Sequence, residues 1–145
     1  MSFINDIRKD LMKLISKSDN IQEVSNFPNS TFDGYPAVAV TWNGVESITV
    51  SNAEVERAIT FGMHIFEQCG RDLENREAIE RAETNIAEVA ADLITRIEDT
   101  YNIDGSSSVD FSMPTSTDEP VFVEIASGFA RKVTLFLTVH KRFIT

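Results

Sequence analysis

Apolar residues recur three and four positions apart near the start of the chain. In residues 3 to 15 this stripe comes with a serine at the N-cap position, an acidic residue near the start and lysines near the end, which complements the helix macrodipole. The pattern predicts an amphipathic helix. Residues 18 to 35, rich in Ser, Asn, Asp and Gly, predict a connection with a short strand at residues 21 to 24.

Two segments that follow have the composition and alternation of strands. Residues 37 to 42 are apolar and β-branched, and residues 55 to 67 alternate apolar and polar positions over a long span. Between them, Asn43-Gly44 is typical of a tight turn. Residues 43 to 52, "NGVESITVSN", alternate again, which predicts a β-ribbon that projects beyond the sheet.

In the second half of the chain the spacing of apolar residues changes from helical to irregular and then to the alternation of strands. In residues 73 to 101 the apolar positions form one helical stripe, with i,i+4 ion pairs outside it. Residues 102 to 120 are rich in Ser, Asp and Pro and predict a loop, with a short strand around residues 109 to 111. Residues 121 to 143 alternate on both sides of a Ser-Gly turn and predict a hairpin.

Together these elements predict an α+β fold. We expect an antiparallel sheet of about four strands with two helices packed on one face, plus the projecting β-ribbon. A chain of 145 residues with 42% hydrophobic content builds a single domain, residues 1 to 145, around one core. The side chains expected to join helices and sheet are Leu11, Leu14, Ile86, Val89, Leu93 and Ile97 against Phe61, Met63, Leu135 and Leu137.

The net charge of −10 is concentrated in the middle of the chain. Residues 67 to 120 hold 14 acidic against 4 basic residues, whereas the charges of the two flanking parts, taken together, cancel. Direct nucleic-acid binding requires a basic footprint, so this composition argues against it. The single cysteine excludes an internal disulfide framework, and no apolar stretch reaches the length of a membrane span. These features predict a soluble protein of a reducing compartment.

No residue pattern in the chain points to catalysis. Gly-rich phosphate loops, nucleophile elbows and zinc-binding signatures are missing from the sequence, so we predict no catalytic, cofactor-binding or metal-binding residues and no enzymatic activity. His64 and His140 fall on the polar faces of two predicted strands, where histidines are ordinarily exposed strand residues. Cys69 is interpreted as a small packed hydrophobe.

The predicted ribbon therefore carries the functional interpretation. Its apolar residues Val45, Ile48 and Val50 have no place in a sheet already filled by the other strands, so we expect a partner to bury them. These three residues are the partner-docking candidates. The alternative is that residues 43 to 52 are a sheet edge that folds back over the protein's own core.

The order of elements resembles a known family. The chain combines an N-terminal helix, the "GYPAV" strand entry at residues 34 to 38, a strand–ribbon–strand passage with "RAITFGMHIF", an acidic helix, a long loop and a terminal strand pair. It is similar to the tail terminator (tail-completion, or neck) proteins of long-tailed bacteriophages. This resemblance implies a structural virion protein, assembled in the host cytoplasm, whose hexameric ring caps the tail tube, stops its polymerisation and joins the tail to the head connector.

The resemblance implies partners rather than cofactors. These are further copies of the chain, the tail tube protein and the head connector, with DNA passing through the ring without specific binding and no membrane involved. An acidic channel wall would keep passing DNA from adhering. The channel-facing candidates are Asp104, Asp110, Asp118 and Glu119.

Two other interpretations stay open. The chain could be another head–tail junction ring protein or a subunit related to the tail tube. In a different class, it could be a small α+β ligand-binding or enzymatic domain whose pocket lies between helix and sheet.

Overall fold

The computed structural model describes residues 3–26, 32–100 and 111–144. Two helices and six strands form along the chain in this order: α1 Phe3–Ser16, β1 Glu23–Ser25, β2 Ala37–Thr49, β3 Glu54–Gly70, α2 Arg76–Thr100, β4 Phe111–Thr117, β5 Val121–Ile125 and β6 Gly128–Ile144. The fold class is α+β, as the sequence predicts.

The sheet is larger than expected and is mixed rather than antiparallel. Its order is β1-β2-β3-β6-β4, with β5 also paired to β6. Four of its five strand pairings run antiparallel, but β1 pairs parallel to β2 through three residues only. The prediction of about four antiparallel strands was wrong in strand number and direction: the short strand expected at residues 21 to 24 forms as β1, but three residues do not indicate that it pairs parallel to β2. The strand β4, "FSMPTST", is polar and contains a proline, so its composition is that of a loop.

The predicted projecting ribbon is part of the main sheet. Asn43-Gly44 makes no turn: Trp42 pairs with Phe61 and Gly44 with Thr60, so Asn43 is the extra residue of a β-bulge. Gly44 has a φ of 137°, which favours glycine. The hairpin turn comes later, where the backbone N–H groups of residues 50 and 51 donate to the carbonyl of residue 54.

The outer half of this hairpin is not an isolated two-stranded arm. Strand β3 pairs with β6 along its whole length, as far as Glu54 opposite Ile144. Among the described residues the sheet is therefore three strands wide at this end, and β2 is the outermost strand on its side.

Both helices pack on one face of the sheet, called here the helix face. Helix α1 contacts β1 and β2, whereas α2 contacts β3, β6 and β4. All ten side chains expected to join helices and sheet lie in one buried cluster, which confirms that prediction. At the outer end, Phe3 of α1 meets Phe143 edge-to-face with ring centroids 5.5 Å apart. No helix in the described part of the chain is long and apolar enough to cross a membrane.

The opposite face of the sheet, the helix-free face, has a smaller buried cluster at the end near β1. Phe32 packs there against Phe66, with ring centroids 5.2 Å apart, beside Ala37 and Ala39. Toward the hairpin end this face is polar, because Thr and His residues occupy the alternate positions of β3 and β6.

Candidate protein-interaction surface

The outer half of β2 is a free sheet edge. Strand β1 pairs only with Ala37, Val38 and Ala39, so within the described ranges no strand lies beside residues 40 to 49 on that side. A free edge presents unpaired backbone N–H and C=O groups that another strand can pair with. Lysines and prolines, which commonly protect such edges, do not occur in residues 40 to 49.

This free edge also carries exposed apolar side chains. Val40 is fully buried, but from Trp42 onward most residues of the strand are exposed. The exposed fractions beyond that point are Trp42 45%, Val45 50%, Ile48 46% and Val50 43%. We call residues 42 to 50 the β2 edge patch.

The three predicted docking residues do not share one face of the sheet. Val45 lies opposite Ile59, which faces the helices, whereas Ile48 lies opposite Glu56 on the helix-free face. Val50 follows Ile48 at a spacing of two and therefore belongs to the helix-free side. Apolar side chains consequently flank the free edge on both sides, which suits a partner that pairs with the edge itself.

Trp42 belongs to the patch although its place in the sequence is simply the end of an apolar, β-branched run. Its cross-strand partner Phe61 is buried in the core, so Trp42 lies on the helix face. The indole Nε1–H donates to the carbonyl of Gly44 at 3.1 Å, across the bulge. The signal that could have indicated this position is a large aromatic residue directly before an Asn-Gly pair inside an alternating run.

The acidic candidates are only partly within the described residues. Asp104 and Asp110 lie outside them, whereas Asp118 and Glu119 are exposed in the connection between β4 and β5. The Asp118 carboxylate accepts a hydrogen bond from the Thr134 backbone N–H at 2.7 Å, and its own N–H donates to the Thr134 carbonyl at 3.1 Å. Asp118 thus fixes the connection to β6, and a role in a channel wall remains a prediction for these acids.

His64 lies at the centre of a small polar network on the helix-free face. Its Nε2 is 2.8 Å from the Thr41 hydroxyl and its Nδ1 is 3.0 Å from the Thr134 hydroxyl. Burial, reinforced by the nearby positive charge of Lys132 and opposed by Asp118, lowers the pKa of His64 to about 4. The imidazole is therefore neutral at physiological pH, where the two hydroxyls satisfy both ring nitrogens.

The second histidine does not join this network. His140 pairs with Ala58, six positions along β6 from Thr134, and its Nδ1 is 3.4 Å from the carboxylate of Glu56. Across the described ranges, no three His, Cys, Asp or Glu side chains come together in a way that could hold a metal ion. Cys69 is buried, as expected, and burial raises the pKa of its thiol.

The lowered pKa of His64 predicts a specific loss of stability in acid. Because the unfolded histidine has a pKa of about 6.5, the unfolded chain binds the proton first as the pH falls. The contribution of neutral His64 is fully present above about pH 6.5 and is lost progressively down to pH 4. Urea unfolding of His64→Gln should show a smaller stability difference between about pH 7 and pH 5 than the unchanged chain shows. Equal differences would contradict the prediction.

Comparison of the chain with models of known protein families and with curated proteins found no match.

Proposed function

We propose that this chain is a structural virion protein that assembles into a ring, in the manner of the phage tail terminators that its element order resembles. The ring would cap the tail tube, stop its polymerisation and join the tail to the head connector. The observation that supports this proposal best is the β2 edge patch, where a free strand edge coincides with four exposed apolar side chains.

The energetics of this patch favour a protein partner. Val45, Ile48 and Val50 are already about half buried, so covering the rest of each would contribute about half of the roughly 1.5–3 kcal/mol that full burial of such a side chain provides. Left exposed beside unpaired backbone groups, the same residues invite uncontrolled strand pairing. A partner that pairs with the edge removes this hazard and gains the burial on both faces.

The distribution of exposed apolar residues favours contacts between unlike edges of identical chains. Eight large hydrophobic side chains are exposed among the described residues, and seven of them lie at the two sides of the sheet. Four form the β2 edge patch; Met113 on β4 and Val121 and Phe122 on β5 lie at the other side. If the two different apolar edges of one subunit bind each other between copies, the contact is heterologous, or head-to-tail. Such a contact generates a ring when the rotation from one subunit to the next closes.

The acidic middle of the chain fits a passage for DNA in this proposal. Asp118 and Glu119 are the candidates within the described residues, and a negative wall repels the phosphate backbone. Electron microscopy of the assembled ring tests this part, since acids placed on its outer rim would refute a channel role.

Size-exclusion chromatography with light scattering tests the proposed function. We expect a discrete species of about six times the 16.2 kDa chain mass. A closed ring of another size would favour a different head–tail junction or tail-tube-related protein. A clean monomer at high concentration would contradict the proposal and favour a small ligand-binding or enzymatic domain.

A further inference from the structure

An apolar groove runs along the side of the sheet opposite the β2 edge patch. It has a volume of about 320 Å³ and lies on the helix face, between α2 and the β4–β5 connection. Its apolar lining includes Ala87, Ala91 and Ile94 from α2, with Pro120 and Val133 from the sheet side. We call it the α2 groove.

The two carboxylates at the rim of this groove already have partners. The Glu83 carboxylate accepts from Arg131 at 2.8 Å, and the Asp118 carboxylate accepts from the Thr134 backbone N–H. An apolar occupant would therefore leave neither carboxylate without a hydrogen bond. A cavity of about 150 Å³ already accommodates benzene, so the α2 groove has room for an indole ring.

Trp42 has the properties that such an occupant requires. It lies on the same helix face as the groove but at the other side of the sheet, so it cannot reach the groove of its own chain. Its indole N–H is satisfied by Gly44, so burial would leave no donor unpaired. An aromatic side chain of this size buries about 150–250 Å² and is a typical interface anchor.

The charges beside the two surfaces are complementary. The exposed charged residues of α1 are Lys9 and Lys13, and both line a depression next to Val24 of β1, at the β2 side of the sheet. Asp6 and Asp10 line the same depression but are half-buried and buried. Apart from Glu88 and Arg81, which line other depressions, the exposed charges of α2 are four acidic residues against one basic residue: Glu77, Glu80, Glu98 and Asp99 against Arg76.

We infer that Trp42 of one copy occupies the α2 groove of the next copy, with the basic side of α1 facing the acidic α2 of that neighbour. This contact deepens the proposed ring function and rests on it. The occupant is a second copy of this chain, and the contact is heterologous: each subunit gives its tryptophan on one side and accepts one on the other.

The protein carries its own probe for this contact, because Trp42 is its single tryptophan. Its fluorescence should move to shorter wavelength with increasing protein concentration, in step with the assembly that light scattering records. Assembly without a change in emission would overturn the inference while leaving the ring itself intact. Failure of the chain to assemble at all would instead contradict the proposed function on which the inference rests.

Disulfide trapping tests which surface receives the tryptophan. In a Cys69→Ala background, an oxidised mixture of Trp42→Cys and Ala91→Cys chains should give cross-linked dimers, and neither variant alone should. A chain carrying both substitutions should give a ladder that ends at the ring. Glu88→Cys is the control for Ala91→Cys, because Glu88 is exposed on α2 but lines a different depression, beside Pro36.

Each result of the trapping decides the inference. Dimers from the Ala91→Cys mixture but not from the Glu88→Cys mixture support the groove contact. Dimers formed by Trp42→Cys alone would indicate a symmetric contact and overturn it. Rings that assemble in light scattering but give no cross-link at Ala91→Cys would also overturn it.

Discussion

Replacing Leu93 by alanine should lower the free energy of unfolding by about 2–5 kcal/mol. Leu93 is fully buried in the middle of α2, in the cluster that joins this helix to the sheet. Truncation removes buried methyl groups and leaves a cavity that the neighbouring strands cannot fill without moving. For a chain of this size, each kcal/mol should lower the melting temperature by about 2–4 °C.

The neighbouring Thr95 supplies the control for this measurement. It is exposed on the same helix, so Thr95→Ala should change stability by no more than about 0.5 kcal/mol. Thermal unfolding of Leu93→Ala, Thr95→Ala and the unchanged chain, under conditions where all three are monomeric, separates core packing from helix propensity. A melting temperature of Leu93→Ala equal to that of the unchanged chain would show that α2 does not pack as described.

Long periodic elements were predictable from the sequence with their buried faces, whereas short strands were placed only approximately and without their partners. The apolar stripe of α2 that contains Leu93 and the alternation of β3 and β6 extend over many residues. The buried face of each element, and the core residues between them, were therefore predicted correctly. Strand β1 has three residues, and each pairs with a residue 14 positions further along the chain. Such pairing depends on tertiary contacts that leave no local period.

The turn at Asn43-Gly44 was predicted wrongly for a specific physical reason. An Asn-Gly pair supplies the backbone freedom that a two-residue hairpin needs, but a β-bulge uses the same freedom. In this chain the partner strand β3 is long enough to continue past Gly44, so extended pairing prevails over a turn.

The bulge also explains why the exposed residues were identified but the face of the sheet on which each lies was not. Without it, strict alternation from Val40 would place Val45 on the helix-free face; the extra residue Asn43 returns Val45 to the helix face, opposite Ile59. Position in the sequence therefore indicated an unburied apolar segment, but the face of each residue depended on a bulge that alternation alone does not reveal.

Ile48→Asp should abolish ring formation while the single chain stays folded. Ile48 is 46% exposed in the β2 edge patch and lies outside the buried clusters, so its loss removes little packing within one chain. In a paired edge the new carboxylate would be buried without a partner and would lie near Glu56, its cross-strand neighbour. Light scattering should report monomers, with far-UV circular dichroism and the unfolding midpoint close to those of the unchanged chain measured as a monomer.

Two further variants distinguish loss of docking from loss of folding. Ile48→Lys should also prevent assembly, because a lysine protects a free edge, yet its charge opposite Glu56 favours the folded chain. Ser127→Asp adds a carboxylate at the exposed β5–β6 turn, at the other end of the sheet, and should assemble normally. If Ile48→Asp and Ile48→Lys both unfold the chain, residue 48 belongs to the core of a single subunit. If both assemble like Ser127→Asp, the β2 edge patch is not the docking surface.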